Sequence, residues 1–108
     1  MPNDNPILEE IAAQFNPDQA VAVAKWFGKP CINVGKRTFV VQWGQNLAFK
    51  LAGSAHDEAL LVEGAHLFDP RGKGSPMKEW VQIPGAQSSV WKRFAKDAYD
   101  YVSAATTE

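Results

Sequence analysis

Between Cys31 and Leu51 the chain reads CINVGKRTFVVQWGQNLAFKL, in which apolar residues recur at every second position. A period of two is typical of β-strands that bury one face. Gly35 and Gly44 interrupt the pattern twice, and glycine is the residue that tight hairpin turns favour. The stretch therefore predicts three consecutive antiparallel strands, with Phe39, Val41 and Trp43 on one face of the middle strand.

Helices are predicted on either side of these strands, because the apolar spacing changes there to three and four. The first helix begins at Asn5, a good N-cap, followed by Pro6. A short helix opens with a capping box at Ser54 and Asp57, and the last helix is capped by Ser88 or Ser89. The apolar faces of the first and last helices are Ile7, Leu8, Ile11, Ala12 and Phe15, and Trp91, Phe94, Ala95, Ala98 and Val102.

A second pair of strands is predicted at residues 65–68 and 78–83, joined by a loop rich in Gly and Pro. Residues 20–26 fit either a helical turn or an edge strand. We expect an α+β fold with two layers, in which an antiparallel sheet of about five strands in the order α-βββ-α-ββ-α carries helices packed on one face. The 108 residues form a single domain whose core covers about residues 7–103.

The composition says more about the cellular compartment of the protein than about the chemistry that it performs. Cys31 is the single cysteine, so no internal disulfide can form, which suits a reducing compartment. The N-terminus shows no basic region followed by an apolar run, and the apolar stretches are too short to span a membrane. We expect a cytoplasmic protein without a membrane partner.

The net charge of −1 hides a segregated distribution. Residues 25–50 carry five basic side chains and no acid, whereas residues 1–19 and 51–70 carry acids and no base. Basic residues near aromatic ones can contact nucleic-acid phosphates, but charge runs more often serve solubility. The candidate nucleic-acid or anion-binding residues are Lys29, Lys36, Arg37, Lys73 and Lys78.

The loop Arg71-Gly72-Lys73-Gly74-Ser75 resembles part of a phosphate-binding loop but lacks the upstream glycine and the following helix. A nucleotide-hydrolysing loop is therefore excluded. Two readings stay open: backbone amides and Lys73 contact an anion, or the glycines only allow a tight hairpin connection.

Cys31, Lys50 and Trp80 are the candidate residues for a ligand or partner contact. A cysteine nucleophile needs a lowered pKa and a neighbouring base, and the alternative is a packed, inert thiol. His56 and His66 stand ten residues apart on different elements, with too few further ligands for a metal site. We predict no catalytic residue, metal or cofactor.

The order of elements and several short motifs together resemble the TfoX/Sxy N-terminal family and the related MmcQ/YjbR group. The similar pieces are Trp26-Phe27-Gly28, Pro30-Cys31-Ile32, Val34-Gly35-Lys36, Phe49-Lys50-Leu51, Phe68-Asp69-Pro70, Pro76-Met77-Lys78-Glu79-Trp80-Val81 and Ile83-Pro84. The resemblance implies a domain linked to the regulation of bacterial DNA-uptake competence, with no catalytic residues to carry over. Members of the second group are often described as DNA-binding.

These observations favour a non-enzymatic binding or regulatory module that acts through protein contacts, with an unknown protein or a second copy of the chain as the partner. One alternative is weak nucleic-acid binding through the basic residues of the hairpins. Another is a small-ligand or enzyme cleft near Cys31.

Overall fold

The computed structural model describes residues 6–15, 20–26, 28–69 and 77–106. Three α-helices, one 3₁₀ helix and six strands follow one another along the described chain. In order they are α1 (Pro6–Ala13), β1 (Val21–Trp26), β2 (Lys29–Val34), β3 (Arg37–Trp43), β4 (Asn46–Lys50), α2 (Gly53–Leu60), β5 (His66–Phe68), β6 (Met77–Ile83), the 3₁₀ helix (Gly85–Val90) and α3 (Trp91–Thr106). The predicted α+β class with helices on an antiparallel sheet is confirmed.

The six strands form one sheet in the order β1-β2-β3-β4-β6-β5, and every neighbouring pair is antiparallel. The prediction counted about five strands because residues 20–26 fitted two structures. They form β1, which pairs with β2 along its whole length. The alternation of Val21 and Val23 outweighs the helix preference of the alanines, since β2 offers that pattern a ladder and an apolar neighbour.

The helix-side face of the sheet carries the larger core. Leu8 and Ile11 of α1, Phe49 of β4 and Phe94 of α3 are fully buried there. The predicted apolar face of α3 is confirmed, because Trp91, Phe94, Ala95, Ala98 and Val102 are all buried. Burying large apolar side chains contributes roughly 1.5–3 kcal/mol each, so this layer supplies most of the stability.

A β-bulge in β3 corrects the predicted face of that strand. Val40 lies opposite Ile32 and Thr38 lies opposite Asn33, so Phe39 is an extra residue between the two pairs. In such a bulge two successive side chains point the same way. Phe39 and Val40 therefore both enter the helix-side core, and the ring of Phe39 lies 5.5 Å from that of Phe15. The prediction that Phe39, Val41 and Trp43 share one face is wrong.

A second apolar cluster lies on the opposite face of the sheet. Its buried members are Cys31, Val41, Ala48, Phe68 and Trp80, with Ala24, Trp43 and Met77 packed against them. Register places Ala24, Cys31, Val41 and Ala48 in one row across β1, β2, β3 and β4. Because this face is buried as well, the central strands carry apolar side chains on both faces of the sheet.

Phe68 reaches over this row although it belongs to the short edge strand β5. Its ring lies 5.2 Å from that of Trp43 and 6.3 Å from that of Trp80. The register between β5 and β6 shifts at this point, since Leu67 pairs with Val81 whereas Phe68 pairs with Met77. The irregularity bends the end of the hairpin onto the second cluster.

Two predicted caps differ in the structure. α2 begins after Ala52 without a side-chain cap, so the capping box at Ser54 and Asp57 is wrong. Ser88 and Ser89 lie inside the 3₁₀ helix and α3 starts at Trp91, so the predicted serine cap is wrong as well. The predicted cap Asn5 lies outside the described residues. None of the helices in the described ranges is both long and apolar enough to cross a membrane.

Candidate functional site

The predicted basic residues that lie within the described ranges do not form one patch. Lys29 begins β2, whereas Lys36 and Arg37 follow its other end, and all three are exposed. A six-residue strand spans about 20 Å, so these charges stand on opposite sides of the domain. Lys78 is exposed on β6, two strands beyond β3. Lys73 and the anion-binding loop predicted around it lie outside the described residues.

Lys29 has a local contact that accounts for its position. Its Nζ lies 5.1 Å from the centroid of the Trp43 ring, on the face opposite the helices. A cation over an aromatic ring at this distance contributes about 0.5–1 kcal/mol at an exposed site. Lys29 therefore covers the second apolar cluster at one end.

Cys31 is fully buried in the middle of the second cluster. Its Sγ lies 3.6 Å from Oδ1 of Asn33, and the same oxygen accepts a 2.6 Å hydrogen bond from the Thr38 hydroxyl. Burial raises the pKa of the Cys31 thiol, and hydrogen bonds with Thr38 and the Ala24 backbone offset only part of that increase. A raised pKa keeps the thiol protonated, which is the opposite of what a cysteine nucleophile needs.

Lys50 and Trp80 are neighbours, but they do not line a cleft with Cys31. The two residues are paired between β4 and β6. Trp80 is only 7% exposed and packs in the second cluster, while the Nζ of Lys50 lies 3.8 Å from Oε1 of Glu79. Partial burial and this same carboxylate raise the pKa of the Tyr101 phenol. Val41 and Ala48 fill the sheet between Cys31 and β6.

The two histidines each have a backbone contact. His56 Nε2 lies 2.7 Å from the carbonyl oxygen of Lys78, and this contact joins α2 to β6. His66 Nδ1 lies 2.8 Å from the carbonyl oxygen of Leu67. The His56 contact therefore links two elements, whereas the exposed contact of His66 stays within its own strand.

Sequence reasoning gave an edge strand as one of two readings of residues 20–26, but it did not identify the outer edge of β1 as a binding surface. The Gly35 N–H donates to the Ala20 carbonyl at 2.9 Å, which makes this pair a hydrogen-bonded pair of the ladder. Because such pairs alternate in an antiparallel ladder, Ala22 and Ala24 also bond to β2. Val21, Val23 and Lys25 must then point their N–H and C=O groups away from the sheet. In agreement, Lys25 lies opposite Pro30, which has no N–H to donate.

The outward groups of β1 have no partner within the part of the chain that the structure describes. The edge is also apolar: the segment Val21–Ala24 contains no charge, no proline and no bulge, and Val23 is 37% exposed. Natural proteins usually protect an edge strand with charged side chains, prolines or bulges, and among the residues of β1 only Lys25, beyond this segment, is such a feature. The opposite edge of the sheet is β5, with only three residues.

A shallow groove runs between α1 and this edge. It is lined by Glu9, Ala12, Ala13, Val21, Ala22 and Val23. Glu9 and Lys25 stand exposed beside it, and neither has an ion-pair partner among the described residues. The arrangement can accept an added strand, whose backbone would pair with β1 and whose side chains would enter the groove. The alternation of Val21 and Val23 was the signal in the sequence, and it could be interpreted only once β1 was known to be an edge.

In comparisons with known proteins, no family model, no curated protein and no solved structure matches the chain.

Proposed function

We propose that this chain is a non-enzymatic binding module that recruits a protein through the open edge of β1. The observation that carries the proposal is the outward direction of the backbone groups of Val21, Val23 and Lys25 on an apolar, uncharged start of the strand. An extended segment that adds to such an edge gains a row of main-chain hydrogen bonds. The exposed side chain of Val23 gives the added strand an apolar contact, and the groove beside α1 leaves room for its side chains.

The resemblance to TfoX/Sxy domains fits this proposal, because it implies regulation rather than chemistry. The buried, protonated thiol of Cys31 is consistent with a protein that uses this cysteine for packing. A lone reduced cysteine also suits a reducing compartment, so we propose that the protein works in the cytoplasm.

A selection of random peptides displayed on phage, made against the immobilised chain, tests the proposal. We expect the selected peptides to be extended segments with alternating apolar residues. Their binding should perturb the amide NMR signals of Val21, Val23 and Lys25 first.

Val23→Pro is the matched variant, because it removes an outward N–H without touching the ladder to β2. The variant should lose the selected peptides at least about tenfold in affinity, as the loss of an edge hydrogen bond and a steric block imply. Peptides that bind Val23→Pro as well as the natural chain would refute a binding role for this edge.

A further inference from the structure

We infer that the occupant of the β1 edge is a second copy of this chain, paired antiparallel about a two-fold axis at Val23. The inference rests on the proposed function, since it names the partner of the same edge. This pairing of two β1 strands would join two six-stranded sheets into one continuous sheet. Such an interface is isologous, because the same strand contributes both halves.

The register follows from the direction of the backbone groups. A two-fold axis between antiparallel strands runs perpendicular to the sheet, so one residue must lie opposite its own copy. Val21, Val23 and Lys25 point outward at alternate positions. With Val23 on the axis, Val23 faces Val23 of the second copy and Val21 faces its Lys25. Each of the three outward residues then joins a hydrogen-bonded pair.

Charge complementarity favours the same register. Lys25 of the second copy would lie opposite Val21, on the helix side of the sheet. Val21 lines the groove together with Glu9 of α1. The exposed ammonium of one copy therefore meets the exposed carboxylate of the other, and symmetry repeats the contact. Within the described residues both groups lack an ion-pair partner in the single chain, and complementary charges fix register in interfaces.

Pairing through β1 also closes the assembly. It uses the six-residue edge strand β1 of each copy and leaves outward only β5, a strand of three residues. Val23, 37% exposed in the single chain, becomes covered by its own copy. The assembly therefore stops at two copies instead of growing into a longer sheet.

Sedimentation velocity with two charge-reversal variants, Glu9→Lys and Lys25→Glu, tests the inference. Each variant alone places like charges at both contacts of the interface. We expect each to raise the dimer dissociation constant at least about tenfold, because like charges facing each other in an interface are strongly unfavourable. An equimolar mixture of the two variants pairs Lys with Glu at both contacts, and it should recover a dimer within about threefold of the natural affinity.

Circular dichroism of each variant checks that folding is unchanged, as expected for two exposed positions. A natural chain that stays monomeric at about 1 mM, where even weak pairs form, overturns the inference. A mixture that associates no better than its components overturns it as well. If the peptides selected on β1 still depend on Val23, only self-pairing has failed; if they do not, the binding edge itself has failed.

Discussion

Val23 lies directly opposite Ile32 in the β1–β2 ladder, yet Ile32 is 0% exposed and Val23 is 37% exposed. The two side chains lie on the same helix-side face of the sheet, Val23 on the edge strand β1 and Ile32 on its neighbour β2. The helices therefore cover the sheet as far as β2 and leave β1 partly open. This partial cover, together with the unused backbone groups of β1, is the basis of the proposed binding role.

Proline substitutions at two neighbouring positions of β1 should have different effects on stability. Val23→Pro removes an outward N–H, so we expect the free energy of unfolding to fall by about 1 kcal/mol or less. Ala24→Pro removes a ladder hydrogen bond to Cys31 and should cost about 2 kcal/mol more. Urea denaturation of the two variants at low protein concentration measures the difference. Equal losses would show that β1 presents its hydrogen bonds in another way.

Phe68 should be a major contributor to stability although β5 is a three-residue edge strand. Its ring packs between Trp43 and Trp80 and is fully buried. We expect Phe68→Ala to lower the free energy of unfolding by about 3–5 kcal/mol. The control is His66→Ala in the same strand, which is exposed and should change stability by no more than about 0.5 kcal/mol. A small effect of Phe68→Ala would mean that the second cluster is not a real core.

The Cys31 thiol should be inert in the folded protein. Because it is buried and its pKa is raised, iodoacetamide at pH 8 should modify it at least about a hundredfold more slowly than in the urea-unfolded chain, as an opening free energy of about 3 kcal/mol implies. Mass spectrometry over time gives both rates. Similar rates in the two states would instead support the alternative of a reactive cleft near Cys31.

The raised pKa of Cys31 also predicts a pH dependence of stability. The folded state holds the thiol proton more tightly than the unfolded state does, so this contribution is complete below the unfolded pKa of about 8.5. It is lost as the pH rises through the higher folded pKa. Between pH 7 and pH 9.5 the natural chain should lose more stability than Cys31→Ala. A larger loss in the variant would contradict the direction of the shift.

Nucleic-acid binding should be weak, because Lys29 stands about 20 Å from Lys36 and Arg37 along β2. Fluorescence anisotropy with a labelled duplex at about 50 and 200 mM salt measures it, since phosphate contacts weaken steeply with salt. We expect a dissociation constant no tighter than about 10⁻⁵ M at the higher salt, within the range of non-specific binding. Tighter binding that is lost on replacing Lys36 and Arg37 by Ala would favour the nucleic-acid alternative.

The fold class could be predicted from the sequence because the strongest patterns in the sequence are local. The period-two run from Cys31 to Leu51 and the apolar spacing of α3 depend on neighbours a few residues away. The bulge at Phe39 could not be predicted in this way, because it depends on how β3 aligns with β2. One extra residue moved Val41 and Trp43 to the other face of the sheet.

The candidate site depended even more on tertiary structure. The alternation of its strand left Trp80 open as a candidate contact residue or a packed one; Phe68 of β5 packs against it, and Trp80 is only 7% exposed. An edge strand was one of two readings of residues 20–26, and the strand order decided between them, since a sequence does not state which strand lacks a second neighbour. Local patterns predicted the strands and their composition, while the order of the strands determined which residues can meet a partner.

Disulfide formation between two copies is the sharpest test of pairing through β1, with Val23→Cys in a Cys31→Ala background. In the proposed register the two Val23 Cα atoms lie about 5.5 Å apart, within the disulfide range of about 4.4–6.8 Å. Ala22→Cys in the same background is the control. Ala22 of one copy would lie opposite Ala24 of the second copy, so the two Ala22 residues would be about 7–8 Å apart. We expect mild oxidation to crosslink Val23→Cys at least about tenfold faster than Ala22→Cys. Equal rates, or faster crosslinking of Ala22→Cys, would contradict pairing of β1 about Val23.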